Sequence, residues 1–278
     1  MYDLVISGGD SFTFGAELDT TAPHIPSPHS WANLVAQRIG KQHINTARSG
    51  RSNSFIVRQV IHEVIEAEDR GIDSSNIFVQ VMWTFTNRHE FALAIEHDQW
   101  DSPWFGINPY TAEDESESDW FKRVDPNSRH YDMTRESLRR SYKRNLKNGI
   151  VDFAKNFVKT IQSTSLYDSY ISANAVLQLQ DFFSLRQIPY LFTYVDGYVL
   201  NGIFTDAAHN PGSKYLNSLR KRIAIDNWYR FPQCQGFLDW ARENDYKFAT
   251  SHPLESAHRD AADLVYQHLI NCGVVNET

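Results

Sequence analysis

The sequence predicts an α/β fold in three layers, with helices on both faces of a central parallel sheet. Three observations carry that expectation. Short strand-like runs alternate with segments of helical period, the pattern of consecutive βαβ units. The chain closes on an amphipathic helix, Leu254 to Ile270. Its 278 residues contain no internal repeat and no low-complexity linker, so residues 1–278 are expected to form a single domain.

In order, Leu4 to Ser7 reads as a buried strand. Ser30 to Ile39 reads as a helix with Trp31, Leu34, Val35 and Ile39 on one face, and Gly40 is its expected stop. His43 to Ala47 is a second strand. Ser54 to Ala67 is a helix with Ile56, Val57, Val60, Ile61 and Val64 at helical spacing, capped by Ser52 or Asn53. Asn76 to Trp83 is a third strand. Residues 88–150 break the pattern with three tryptophans, three prolines and the acidic run EDESESD, and read as an insertion. An insertion at the carboxyl end of a strand is where a lid would sit. Helices are expected over 136–163 and 165–186, then a strand over Pro189 to Val195 and a loop over 196–212. Helices near 213–225 and 235–243 and a short last strand at Tyr246 to Ala249 follow.

Charge and composition exclude several classes. The formal net charge is −7, which argues against a nucleic-acid binder held by overall charge. The basic stretch from Arg139 to Lys147 reads as the solvated face of a helix. The acidic run reads as a solvated loop, because adjacent carboxylates repel and no histidine lies at ligand spacing. Cys234 and Cys272 lack metal spacing and are expected as free thiols, which fits a reducing, cytoplasmic setting. No window approaches about 18 apolar residues, so neither a signal peptide nor a membrane span is expected. There is no GxGxxG, GxxxxGK[ST], HExxH or GxSxG, and no metal or cofactor is expected.

In parallel sheets ligands bind outside the carboxyl ends of the strands. Four sequence positions should meet there. Gly9-Asp10-Ser11 follows the first strand. Glycine lets the backbone turn sharply, and a serine amide entering a helix can face an oxyanion. Gly50 follows the second strand and can present its N–H into the same crevice. Thr84 and Asn87 follow the third. His252 precedes the last helix, with Pro253 suited to a first turn, and a loop histidine there can act as a general base. His258 falls inside the helix and reads as a packing or hydrogen-bonding residue.

Together these blocks resemble the SGNH, or GDSL-type, hydrolase family, over the chain from Ser7 to about Leu269 without the insertion. The resemblance implies a flavodoxin-like sheet, Ser11 as nucleophile, Gly50 as an oxyanion donor and His252 as base. It implies an ester hydrolase, with an O-acyl group on a carbohydrate or small metabolite as substrate. Two blocks depart from the family. Where it carries Gly-x-Asn-Asp, this chain has Trp83-Thr84-Phe85-Thr86, leaving Asn87 or Thr84 to donate to the oxyanion. Where it carries an aspartate three residues before the base, this chain has Ala249. A backbone carbonyl nearby, or a carboxylate such as Asp196, would have to orient the imidazole. Asp206-Ala207-Ala208-His209 has the missing spacing, so Asp206 and His209 stand as an alternative acid and base. These departures keep two alternatives open: a non-catalytic binding or structural protein of the same fold, and an acyltransferase.

Overall fold

Leu4, Val5 and Ile6 have no exposed surface, which is the environment of a strand covered on both faces. They lie in β1 (Tyr2–Gly8), at the centre of a parallel sheet. β1 pairs with β2 (Gly40–Asn45) on one side and β3 (Ile77–Trp83) on the other, and β3 pairs with a fourth strand, Tyr190–Tyr194. The registers Ser7 with Asn45, Gly8 with Val81 and Trp83 with Tyr194 bring the carboxyl ends of these strands to one edge. The strand order 2-1-3-4 within this sheet is that of flavodoxin-like folds. In the computed structural model the residues described are 1–18, 24–92, 104–108, 111, 149–162, 165–197, 199 and 213–275. The acidic run, the basic stretch from Arg139 to Lys147, residues 136–148 of an expected helix, Asp206 and His209 lie outside them.

Successive side chains of a strand point to opposite faces, and the two faces collect different helices. Leu4, Ile6, Val79, Val81, Trp83, Phe192 and Tyr194 pack with α3 (Asn53–Asp69), a helix at Leu166–Arg186 and another at Ser213–Arg220. Val5, Phe78, Met82, Leu191 and Val195 pack with α2 (Trp31–Ile39) and helices at Phe237–Glu243 and Glu255–Asn271. The expected three layers are therefore present. In chain order the remaining elements are α1 (Ser11–Phe14), the antiparallel hairpin β4 (His89–Ala92) and β5 (Trp104–Ile107), α4 (Ile150–Thr160), α5 (Leu166–Arg186), β6 (Tyr190–Tyr194), α6 (Ser213–Arg220), α7 (Phe237–Glu243) and α8 (Glu255–Asn271).

Two expected strands differ in the structure. β2 starts at Gly40, directly at the end of α2, rather than at His43. The glycine lets the chain pass so close to β1 that any side chain there would strike Val5. Tyr246 to Ala249 is not a strand. Phe248 makes a single antiparallel bridge to Pro253, and the Leu254 amide donates to the Lys247 carbonyl at 2.9 Å. Proline cannot donate to a ladder, so the pairing ends as a tight loop. The edge of β6 is met instead by Trp228, through a parallel bridge to Phe192, with the Tyr229 amide 2.7 Å from the Phe192 carbonyl.

One polar network crosses the α2 face of the sheet. Gln80 Nε2 donates to Ser7 Oγ at 2.8 Å and to the Ala32 carbonyl at 2.7 Å. Ser7 Oγ lies 2.8 Å from His43 Nε2, and His43 Nδ1 lies 3.0 Å from Asn33 Oδ1. An amide oxygen only accepts, so Nδ1 carries the proton and Nε2 accepts from Ser7. Burial pulls His43 down to about 4, keeping the ring neutral in that role.

Phe192 has no exposed surface and meets Trp83, Phe183, Tyr190 and Trp228 with ring centroids 4.6 to 6.3 Å away. Phe192→Ala is expected to cost about 3–5 kcal/mol, measured by urea unfolding.

Candidate functional site

The site is built where β1 runs out. A side chain at Gly9 would collide with Thr13, so the turn into α1 closes only around a glycine. Asp10 caps α1: its Oδ1 accepts the Phe12 amide at 3.1 Å. Its Oδ2 accepts the Thr84 hydroxyl at 2.6 Å and Arg88 Nη1 at 2.6 Å. The carboxylate is wholly buried and is neutralised by that guanidinium. Ser11 is the first residue of α1 and is buried. Its amide belongs to the helix end whose N–H groups lack intrahelical acceptors. Its carbonyl accepts from the amides of Gly15 and Ala16 at 3.0 and 2.9 Å, which closes the single turn.

Gly50 lies in the loop after β2 with φ +73°, left-handed backbone that glycine adopts freely, and a Cβ there would meet open space. Its carbonyl faces Gly106 of β5, so the hairpin packs close to the Gly50 loop. The loop after β3 is held by Asn53, the first residue of α3. Asn53 Oδ1 accepts the Thr84 amide at 2.9 Å and its Nδ2 donates to the Thr84 carbonyl at 3.1 Å. Thr84 is therefore fully engaged, because its hydroxyl donates to Asp10 and accepts from Arg88 at 2.9 Å. That hydroxyl proton is committed to Asp10. The Asn87 carbonyl accepts from Gln162 at 3.0 Å.

His252 is presented by the tight loop before α8, where its carbonyl accepts the Ala249 amide at 2.9 Å. Its ring packs on that of Phe12, the neighbour of Ser11, with centroids 4.8 Å apart. Its Nδ1 lies 2.8 Å from Glu17 Oε2, a residue 235 positions away in sequence. The same oxygen accepts the amides of Ser251 and His252 at 3.1 and 3.2 Å. Burial alone would raise Glu17, but its hydrogen bond to His252, that residue's charge and the Ser251 amide hold it down to about 2. An ionised carboxylate only accepts, so His252 Nδ1 carries a proton, and in the neutral ring it is Nε2 that holds the lone pair. Ser251 Oγ also lies 3.1 Å from Nδ1. Among the described residues no hydrogen bond joins His252 to Ser11 Oγ.

Glu17 is thus the carboxylate that meets the His252 imidazole, where the sequence offers none at Ala249. Asp196, the carboxylate considered for it, instead accepts the Val199 amide at 3.1 Å in the turn after β6. The only hint in the sequence was an acid shortly after Ser11, and nothing local couples it to residue 252. Its left-handed backbone, φ +68°, follows the Gly15 cap of α1 and turns the side chain back toward the site. His258 is wholly buried, and its Nδ1 accepts the Trp31 amide at 3.1 Å. Burial, with the charge of His252, holds it down to about 3, so it is a neutral packing residue. Among the described residues no cluster of side chains suits a metal ion, and no helix is long and apolar enough to cross a membrane. Cys272 is an exposed free thiol.

Residues 17–144 match a family of unknown function (DUF6071). No curated protein matches the chain. Among solved structures, it is similar to a psychrotrophic esterase from Pseudoalteromonas sp., at 11% identity over 98% of this chain and 100% of that one, with a TM-score of 0.43. It is similar to a member of the lipolytic G-D-S-L family from Veillonella parvula, at 10% identity over 95% and 96% of the two chains, with a TM-score of 0.39. A carbohydrate esterase family 2 enzyme from Corynascus thermopiles matches at 10% identity over 98% of this chain and 67% of that one, with a TM-score of 0.45. At these identities they are likenesses of fold.

The Glu17–His252 pair has a pH signature. The folded carboxyl titrates near 2 against an ordinary 4.5, so its stabilisation is complete above about 4.5 and is lost as pH falls toward 2. Glu17→Gln is expected to be less stable than the parent at neutral pH, with the gap shrinking across that window in denaturant titrations.

Proposed function

We propose that this chain is a serine hydrolase that cleaves an ester, with Ser11 as nucleophile and His252 as base. The observation that carries the reading is the Glu17–His252 hydrogen bond, which supplies the orienting acid without which the base would lack a fixed tautomer. Ser11 Oγ attacks the acyl carbon while His252 Nε2 takes its proton. The tetrahedral oxyanion is held by the amides of Ser11 and Gly50, with Asn87 as the remaining candidate donor. The carbon–oxygen bond to the alcohol then breaks, and Nε2 returns the proton to the leaving oxygen. Water, deprotonated by the same nitrogen, attacks the acyl-serine and releases the acid. A substrate with an O-acyl group on a carbohydrate or small metabolite fits this chemistry. An alcohol in place of that water would make the same site an acyltransferase. The β4–β5 hairpin over Gly50 would form one wall of the substrate crevice. Asp206 and His209 stay alternatives for acid and base.

A second reading, a binding protein that keeps the pocket without the reaction, draws on the missing hydrogen bond between Ser11 Oγ and His252. Such bonds are often long before substrate arrives. A fluorophosphonate probe separates the two readings. Labelling at Ser11 is expected, absent in Ser11→Ala. Hydrolysis is expected to fall roughly 10³-fold or more in His252→Ala and roughly 10²–10⁴-fold in Glu17→Gln. An unlabelled Ser11 in folded protein would leave the binding reading.

A further inference from the structure

Arginines stand around the loop that carries Ser11. Arg88 Nη1 reaches Asp10, the residue before Ser11, and the Thr84 hydroxyl. Its guanidinium lies over the Phe85 ring at 4.6 Å, and its side chain is 15% exposed. A guanidinium carries five donors in a fixed fork, and Nε and Nη2 of Arg88 take no partner among the described residues. Arg48 and Arg51 flank Gly50. Arg48 lies 5.8 Å over Phe14, the last residue of the helix that Ser11 opens, and donates Nη1 to the Ala47 carbonyl. Among the described residues no carboxylate pairs with Arg48. Arg51 lies over Phe55 at 5.0 Å.

The carboxylates beside these loops are already committed. Asp10 is held by Arg88, Glu17 by His252 and Glu90 by Arg58. Among the described residues no carboxylate beside these loops is left to pair with Arg48. Arg88 gives Asp10 one hydrogen bond from Nη1; its Nε and Nη2, and the Arg48 guanidinium beyond Nη1, have no partner among the described residues. Aromatic faces under both guanidinium planes limit the freedom lost when they grip an anion.

We infer that the site takes esters bearing an oxyanion group, a carboxylate or phosphate, gripped by Arg88 and Arg48 beside the scissile bond. This rests on the hydrolase reading and names its substrate class. The test compares para-nitrophenyl hemisuccinate with para-nitrophenyl butyrate, which differ by a carboxylate in place of a methyl. The intact protein is expected to favour the hemisuccinate by about tenfold or more in kcat/KM, through KM. Arg48→Gln and Arg88→Lys should each cut that ratio toward one; the lysine retains a cation for Asp10 but loses the fork. Calorimetric titration of Ser11→Ala with succinate and with inorganic phosphate distinguishes the two anions, and Arg48→Gln in that background should abolish the binding. Equal rates on the two esters, or a ratio that neither arginine variant changes, would overturn this inference and leave the hydrolase intact. Anion binding lost with Arg48→Gln, but no hydrolysis of either ester, would keep the anion site and remove the hydrolase. Neither binding nor hydrolysis would overturn both.

Discussion

The buried carboxylate of Asp10 is the constraint on which the site depends. It has no exposed surface, and a charge taken out of water costs several kcal/mol unless it is paired and hydrogen-bonded. Asp10 meets that demand from three directions at once: the Phe12 amide of its own helix, the Thr84 hydroxyl beyond β3, and Arg88 beyond that. The loop after β1 and the loop after β3 are thereby locked together around Ser11. Asn53 clamps Thr84 from the α3 side, so the same loop is held on both flanks. Losing any one partner would leave part of a buried charge unsatisfied, which is why the arrangement is expected to be rigid.

Against that fixed side, the histidine side is assembled from a long-range pair. Glu17 gathers two amides and an imidazole on one oxygen, while the backbone bridge from Phe248 to Pro253 keeps the loop tight. An acid three residues before the histidine would have come from the same loop. Here it comes from the turn just after α1, so that turn and the His252 loop are tied directly. The Phe12 ring packs between them and meets both His252 and Phe237. The position of the His252 imidazole therefore depends on the segment that follows Ser11.

The strand pattern was legible because buried parallel strands are short apolar runs, and helical faces repeat with their own period. β1, β3, β6, α2, α3, α5 and α8 follow from that. What failed was local. Tyr246 to Ala249 has strand-like residues but meets Pro253 within a few positions, and the loop closes before a ladder can form. Gly40 was readable as a helix stop, but that it also opens β2 depends on contact with Val5.

The sequence by itself determined the layered fold and named Ser11, Gly50 and His252 as candidates, because motif order and hydrophobic period are local properties of the chain. Only the tertiary structure could decide which acid orients the histidine and where the hydroxyl of Thr84 points. Glu17 and His252 are 235 positions apart, and Asp10 and Thr84 are 74. Those choices belong to burial: a carboxylate or hydroxyl removed from water must find its partner among whatever the fold brings within reach, and sequence distance does not enter.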